Sequence, residues 1–307
     1  MIIDWVSRGY GFFRKDDELA INHFYDKYQF NPLRKFPVLV SDKKLIQTGT
    51  ETYIVPIPRL LYERVSRGIY FDLADYHKGN GRNNKFRESF GYVFQEYVGE
   101  LLRETIDYAQ IIKEWVYAKP NNKTPDWIVC AEGKAILVEV KQSGLYLRAK
   151  SLGNIEDVKS DIKKTIASAV KQLWNFEDNI RNGRYENIDF IKDCEIVERL
   201  IVVYDSSYFF NSILRDFTLE VLSSVPSSYS WHVISVEELE QVLGLIDLNL
   251  FELLKEKRVD SNGYLMDFKN YIGRKYRGRA IKNRYLDSIQ DAFWTNELGR
   301  SITELRY

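Results

Sequence analysis

The segment from Asp126 to Lys141, Asp-Trp-Ile-Val-Cys-Ala-Glu-Gly-Lys-Ala-Ile-Leu-Val-Glu-Val-Lys, constrains the fold of this chain more than any other. Two apolar runs, Asp126–Ala131 and Lys134–Lys141, flank Glu132-Gly133, which predicts a β-hairpin closed by a two-residue turn. With that turn Ala131 faces Lys134 and Asp126 faces Glu139. A four-residue turn keeps the pairing; a three-residue turn slips it by one. In the kept register two carboxylates stand opposite each other with Cβ atoms about 5 Å apart, a repulsive arrangement. Their neighbours Trp127, Ile128, Val129, Leu137, Val138 and Val140 are apolar, so little water screens the repulsion. A shared proton or a hard divalent cation offsets it. Lys141 lies two residues beyond Glu139 and projects to the same sheet face. The two carboxylates and the backbone carbonyl of Val140 offer Mg²⁺ oxygen ligands and leave positions for water and a phosphate. The lysine can orient or deprotonate an attacking water. A plain surface salt bridge is the simpler account of such a triplet. Pro125 before the aspartate, the register and the apolar flanks argue against it.

The rest of the chain supplies a setting for this hairpin. Phe90, Val93, Phe94, Tyr97, Val98, Leu101 and Leu102 recur at helical steps, predicting a helix over Phe86–Glu104. A strand is expected at Ile111–Tyr117, followed by a loop at Ala118–Thr124. Downstream, a long helix fits Ile155–Ile180 and short buried strands fit Leu200–Tyr204 and Trp231–Ser235, the latter after the Ser/Pro-rich loop Ser223–Ser230. Upstream, β-like runs occur at Phe36–Val40 and Tyr53–Ile57, and the polar break His77–Lys85 marks a boundary. These readings divide the chain into a mixed region 1–85, an α/β core 86–245 with a mixed sheet, and a helical basic region 246–307.

Pro125-Asp126 followed by Glu139-Val140-Lys141 at the end of the next strand resembles the signature of the PD-(D/E)XK nuclease superfamily. The element order is similar to that superfamily's restriction-endonuclease-like αβββαβ core, a mixed central sheet flanked by helices, here with N- and C-terminal extensions. The resemblance covers Phe86 to Glu240. It implies hydrolysis of phosphodiester bonds with Mg²⁺, or Mn²⁺ in its place. Asp126, Glu139 and Val140 then hold the metal, with Lys141 beside the water. Many members carry a Glu on the first core helix in a Gly-x-x-Phe-Glu pattern. This chain reads Gly91-Tyr92-Val93-Phe94-Gln95-Glu96, so Gln95 occupies that position, with Glu96 and Glu100 as the nearby acids. A glutamine can hold a water but supplies no charge. Gln142 falls on the opposite face of an ideal strand from Lys141, and Gln172 lies on the next helix. The resemblance further implies a DNA endonuclease in bacterial anti-phage defence, acting with a further copy of itself or with a partner defence protein. It leaves open an RNA-directed nuclease, or a nucleic-acid-binding or assembly subunit that is inactive without a partner.

Composition narrows the remaining classes. Lys plus Arg and Asp plus Glu each number 44, so any attraction to a polyanion must come from a local patch. Such a patch runs from Lys269 to Arg284. It holds seven cations and no acid, with Tyr271, Tyr276 and Tyr285 interleaved. Arg274, Lys275, Arg277, Arg279 and Lys282 are the expected phosphate contacts, and the tyrosines are expected to stack on bases. Two cysteines, Cys130 and Cys194, and three scattered histidines exclude a zinc cluster or disulfide framework. No apolar run reaches membrane-spanning length and the first residues are charged, so a cytoplasmic protein without membrane contact is expected. Gly79-Asn80-Gly81, Gly273–Gly278 and Ser41–Lys44 mimic nucleotide or acyl-enzyme motifs but lack their companion residues.

Overall fold

A hairpin with facing carboxylates needs a rigid frame, and the frame is a five-stranded mixed sheet covered by helices on both faces. The computed structural model describes residues 5–9, 32–41, 52–77, 84–117, 122–142, 155–184, 186–205, 211–222 and 224–298. The polar break at 78–83, with its Gly79–Gly81, lies outside the described residues. So do loop residues 118–121, Ser223 and residues 42–44 of the Ser41–Lys44 motif. The described residues fall into two compact units, the first running to Ser89 and also including residues 155–157, the second holding the others from Phe90 onward.

In the first unit β1 (Ser7–Gly9) pairs in parallel with β2 (Val38–Val40), and β2 pairs antiparallel with β3 (Tyr53–Ile54). Two helices follow, α1 (Pro58–Val65) and α2 (Gly68–Tyr76). Pro58 opens α1 because a proline at the first turn forgoes no helical hydrogen bond. The Arg64 guanidinium is buried against Asp72, donates to the Lys35 carbonyl at 2.9 Å and covers the Trp5 ring.

The second unit contains α3 (Lys85–Thr105) from Phe90 onward, then β4 (Gln110–Lys113), β5 (Trp127–Ala131) and β6 (Lys134–Lys141). Next come α4 (Ile155–Lys164) from Val158 onward, α5 (Ile166–Arg181), β7 (Glu195–Val203), α6 (Ile213–Val221) and β8 (His232–Ser235). It closes with α7 (Val236–Leu243), α8 (Leu250–Val259), α9 (Phe268–Lys275) and α10 (Arg284–Leu298). The strand order is β4-β5-β6-β7-β8, antiparallel through β6 and parallel beyond it. The parallel pairings follow from connections through α4–α5 and through α6, since a parallel neighbour cannot be reached by a tight turn.

Strand alternation divides the core. Ile128, Leu137, Ile201 and Val203 pack beneath Ile166, Val170, Leu173 and Phe176 of α5. Trp127, Val129, Val138 and Leu200 face Phe94, Val98, Leu101 and Leu102 of α3. Leu250, Leu253, Leu254, Phe268 and Ile272 join the second cluster, so α8 and α9 pack on the core rather than forming a separate body. Among the described residues no helix is long and apolar enough to cross a membrane.

Several boundaries differ from expectation for physical reasons. The predicted helix Ile155–Ile180 breaks at Thr165, whose N–H donates to the Ile162 carbonyl three residues back. The break still leaves Ile162 of α4 and Ile166 of α5 buried in the same core cluster. The predicted strand Ile111–Tyr117 ends its ladder at Lys113, because Thr124 and Pro125 together oppose Trp115. Glu114 donates to the Asp126 carbonyl, whereas Val116 bridges Lys123, so one strand advances three residues against two. That is a β-bulge centred on a residue without an N–H. β7 begins five residues before the predicted Leu200, since its charged residues find ion-pair partners on helices packed beside it. Glu198 meets Arg258 at 2.8 Å and Arg199 grips Glu177 at 2.6 Å.

One contact anchors the frame to the hairpin. Trp127 is fully buried and its Nε1 donates to the Gln95 carbonyl at 3.0 Å. Gly99 lets α3 pass this ring, because a Cβ there would lie 2.0 Å from Trp127 Cζ2. Gly99→Ala is therefore expected to destabilise the protein by at least about 1–3 kcal/mol, the usual cost of overpacking. Chemical denaturation of wild type and variant measures this; equal midpoints would mean that α3 and the ring part without cost.

Candidate active site

The hairpin has the register its sequence predicts. Glu132 (φ 49°) and Gly133 (φ 70°) form a two-residue turn of the primed type, and Ala131 pairs with Lys134. Trp127 pairs with Val138, so Asp126, just before β5, lies opposite Glu139. Both carboxylates point to the sheet face that α5 covers, as Ile128 and Leu137 do.

The immediate contacts assign each oxygen. Asp126 Oδ2 accepts the Val140 N–H at 2.7 Å. Glu139 Oε1 accepts from Lys141 Nζ at 2.7 Å, and the same ammonium donates to Gln172 Oε1 on α5 at 2.7 Å. Two of the three Lys141 donors are thereby spent, and one remains. These bonds leave Asp126 Oδ1 over, whereas the Glu139 carboxylate also takes the Asp126 N–H. The Val140 carbonyl lies on the same side of β6 as its N–H, facing position 125 of the hairpin. Proline there has no N–H, so the ladder offers that carbonyl no donor.

Electrostatics follow from burial. Glu139 is only 3% exposed. Burial, then the neighbouring Glu139 charge, pushes the Asp126 carboxyl up to about 7, against the opposing pull of the Val140 N–H and Lys141. Burial also raises Glu139, with Lys141 and the Asp126 N–H opposing. Each acid thus resists ionising beside the other, and a cation between them would relieve both.

Sequence reasoning missed Glu114. The β4–β5 ladder puts it directly beside Asp126, its N–H donating to the Asp126 carbonyl at 2.8 Å, and its charge acts on both acids of the pair. Glu114, Asp126 and Glu139 thus form a row across three adjacent strands. The signal was the helix-free run before Pro125, but its pairing could not be counted through an irregular loop. Among the described residues no group of three His, Cys, Asp or Glu side chains is arranged to hold a metal. The oxygens that could meet a cation here are those of two carboxylates and one main-chain carbonyl. Such a set suits Mg²⁺, which keeps several waters and takes one or two protein carboxylates.

The other expected residues are placed as follows. Gln95 lies on α3, which covers the opposite sheet face; its carbonyl receives the Trp127 ring N–H. Glu96 is paired with Lys113 at 2.5 Å. Gln142 lies against Gly91 of α3, with its Oε1 buried and without a hydrogen bond. Gln172 is the polar candidate that reaches the site. In the basic stretch Arg274 pairs with Asp260, Lys275 with Glu256 at 2.8 Å and Arg284 with Asp107 at 3.0 Å. Arg279 lies over the Tyr276 ring, and Arg277 and Lys282 are exposed. The tyrosines do not form the expected row of stacking rings. Tyr271 is fully buried, Tyr276 bonds Glu256, and Tyr285 bonds Glu100 and packs near Tyr97. A comparison with protein-family models and with curated proteins finds no match.

Proposed function

We propose that this chain is a Mg²⁺-dependent nuclease of the PD-(D/E)XK type, with a restriction-endonuclease-like core, that hydrolyses DNA in defence against foreign nucleic acid. The carrying observation is the facing pair of a half-buried Asp126 and a buried Glu139, with Lys141 tethered beside them. Carboxylates with raised proton affinity, set face to face beside an ammonium, cluster at functional sites. Asp126, Glu139 and the Val140 carbonyl would hold the ion, which supplies Lewis acidity at the phosphate and a nucleophile near neutral pH. Lys141 does the positioning: with two donors fixed by Glu139 and Gln172, the third orients water and balances charge developing on phosphate. Gln172 keeps the ammonium from collapsing wholly onto Glu139. The ion pairs of Arg274 and Lys275 are surface pairs of small strength, which phosphate can displace. The C-terminal run thereby remains a candidate nucleic-acid contact.

One observation favours a second reading. The helix that carries Gln95 covers the opposite sheet face and brings no acid to the pair, which suits a subunit that binds nucleic acid and cuts only with a partner. Incubating the purified chain with Mg²⁺ and plasmid DNA, single-stranded DNA or RNA separates the two. Cleavage is expected for wild type, with none for Asp126→Asn or in EDTA. Binding without cleavage of any substrate would leave only the second reading.

A further inference from the structure

We infer that Lys123 grips a phosphate flanking the scissile one and so sets the path of the strand across the site. This rests on the nuclease reading and adds to it a substrate contact beside the carboxylate pair. The row Glu114, Asp126, Glu139 ends in an ammonium at each side: Lys123 meets Glu114 at 2.9 Å and Lys141 meets Glu139 at 2.7 Å. The two ammoniums are held very differently. Lys141 is 22% exposed and tied to two acceptors. Lys123 is 56% exposed and tied to Glu114, itself partly exposed. Such a surface pair contributes at most about 1 kcal/mol and yields readily to a stronger anion.

Position adds the second argument. Neighbouring strands lie about 4.8 Å apart, so the row spans roughly 10 Å. A phosphate lying over Asp126 and Glu139 has its neighbour along the chain within reach of one end of that row. The bulge at Thr124-Pro125 puts Lys123 on the same side as Glu114, close enough for its charge to act on Asp126. Lys113, the residue just before Glu114, is excluded because it covers the Trp127 ring and pairs with Glu96 on the other face. Glu114 then acts as a stand-in for phosphate, holding Lys123 in place until a strand displaces it.

The test is a split between grip and turnover on one labelled oligonucleotide, with binding measured in EDTA and cleavage in Mg²⁺. Lys123→Gln is expected to weaken binding about tenfold, the usual scale for one charge-assisted contact. It should also reduce the slope of log affinity against log salt by about 0.7–0.9. Its kcat should stay within about twofold, and Lys123→Arg should restore affinity. Glu114→Gln should tighten binding severalfold by removing the competing anion. A methylphosphonate at the flanking position should weaken wild type but not Lys123→Gln. Thermal melting confirms that each variant is folded. Unchanged affinity and slope in Lys123→Gln, a fall in kcat alone, or no binding by wild type would each overturn the inference. Lys123-dependent binding without cleavage would instead remove only the nuclease reading and keep the grip.

Discussion

In metal-free buffer the wild type should lose stability relative to Asp126→Asn as pH rises from about 4 to about 7. The Asp126 carboxyl is raised from 3.8 to about 7 by burial and by Glu139. A carboxyl whose folded pKa exceeds its unfolded one binds its proton more tightly in the native state. Its contribution is therefore full below the unfolded value and lost as pH climbs through the folded one. Asparagine keeps an oxygen to accept the Val140 N–H but carries no titrating charge. The difference between wild type and variant thus isolates this pair from other titrating groups. Mg²⁺ should reverse the trend in wild type, since it binds the ionised pair. At a concentration one hundred times its Kd it adds about 2.7 kcal/mol. Scanning calorimetry at several pH values, with EDTA and with Mg²⁺, reads both effects. A variant that keeps the wild-type pH slope, or that still gains melting temperature with Mg²⁺, would show that Asp126 is not the shared acid.

Lys141→Ala should lower kcat by about 10²–10⁴-fold, the range for a positioned proton-transfer group, while nucleic-acid affinity changes little. Arginine should fail to rescue it. A guanidinium cannot deprotonate in this range, and its planar fork does not match a site built around Glu139 Oε1 and Gln172 Oε1. Removing the ammonium also leaves Glu139, buried beside Asp126, without its cation. Calorimetry must therefore accompany the kinetics, because an uncompensated buried charge is strongly destabilising. Single-turnover cleavage with saturating enzyme separates the chemical step from binding. Wild-type turnover in a folded Lys141→Ala variant would reduce the Glu-x-Lys spacing to coincidence.

The hairpin was legible residue by residue because its information is local. The turn Glu132-Gly133 and the period-two alternation suffice to place Asp126 opposite Glu139 and Lys141 on the same face. The helix over Phe86–Glu104 was legible for a similar reason, its apolar stripe repeating over the whole of α3. β7 was only half visible. Glu198 and Arg199 read as solvent-facing until Arg258 and Glu177, far away in sequence, are seen to neutralise them.

The basic stretch shows the opposite limit. Its cations are plain in the sequence, but the acids that hold three of them, Asp260, Glu256 and Asp107, lie outside the run. Only packing of α8 and α9 brings two of those acids within reach, and it also buries Tyr271 where a stacking ring was expected. Glu114 was hidden by the bulge, since Pro125 shifts the count between strands and no periodicity survives that shift. The sequence alone therefore determined the carboxylate pair, its lysine and its turn, because a hairpin's register depends on its own few residues. Tertiary structure decided which groups tether, extend and flank that pair: Gln172, Glu114 and Lys123. Contacts between elements depend on distances through space that sequence spacing does not encode.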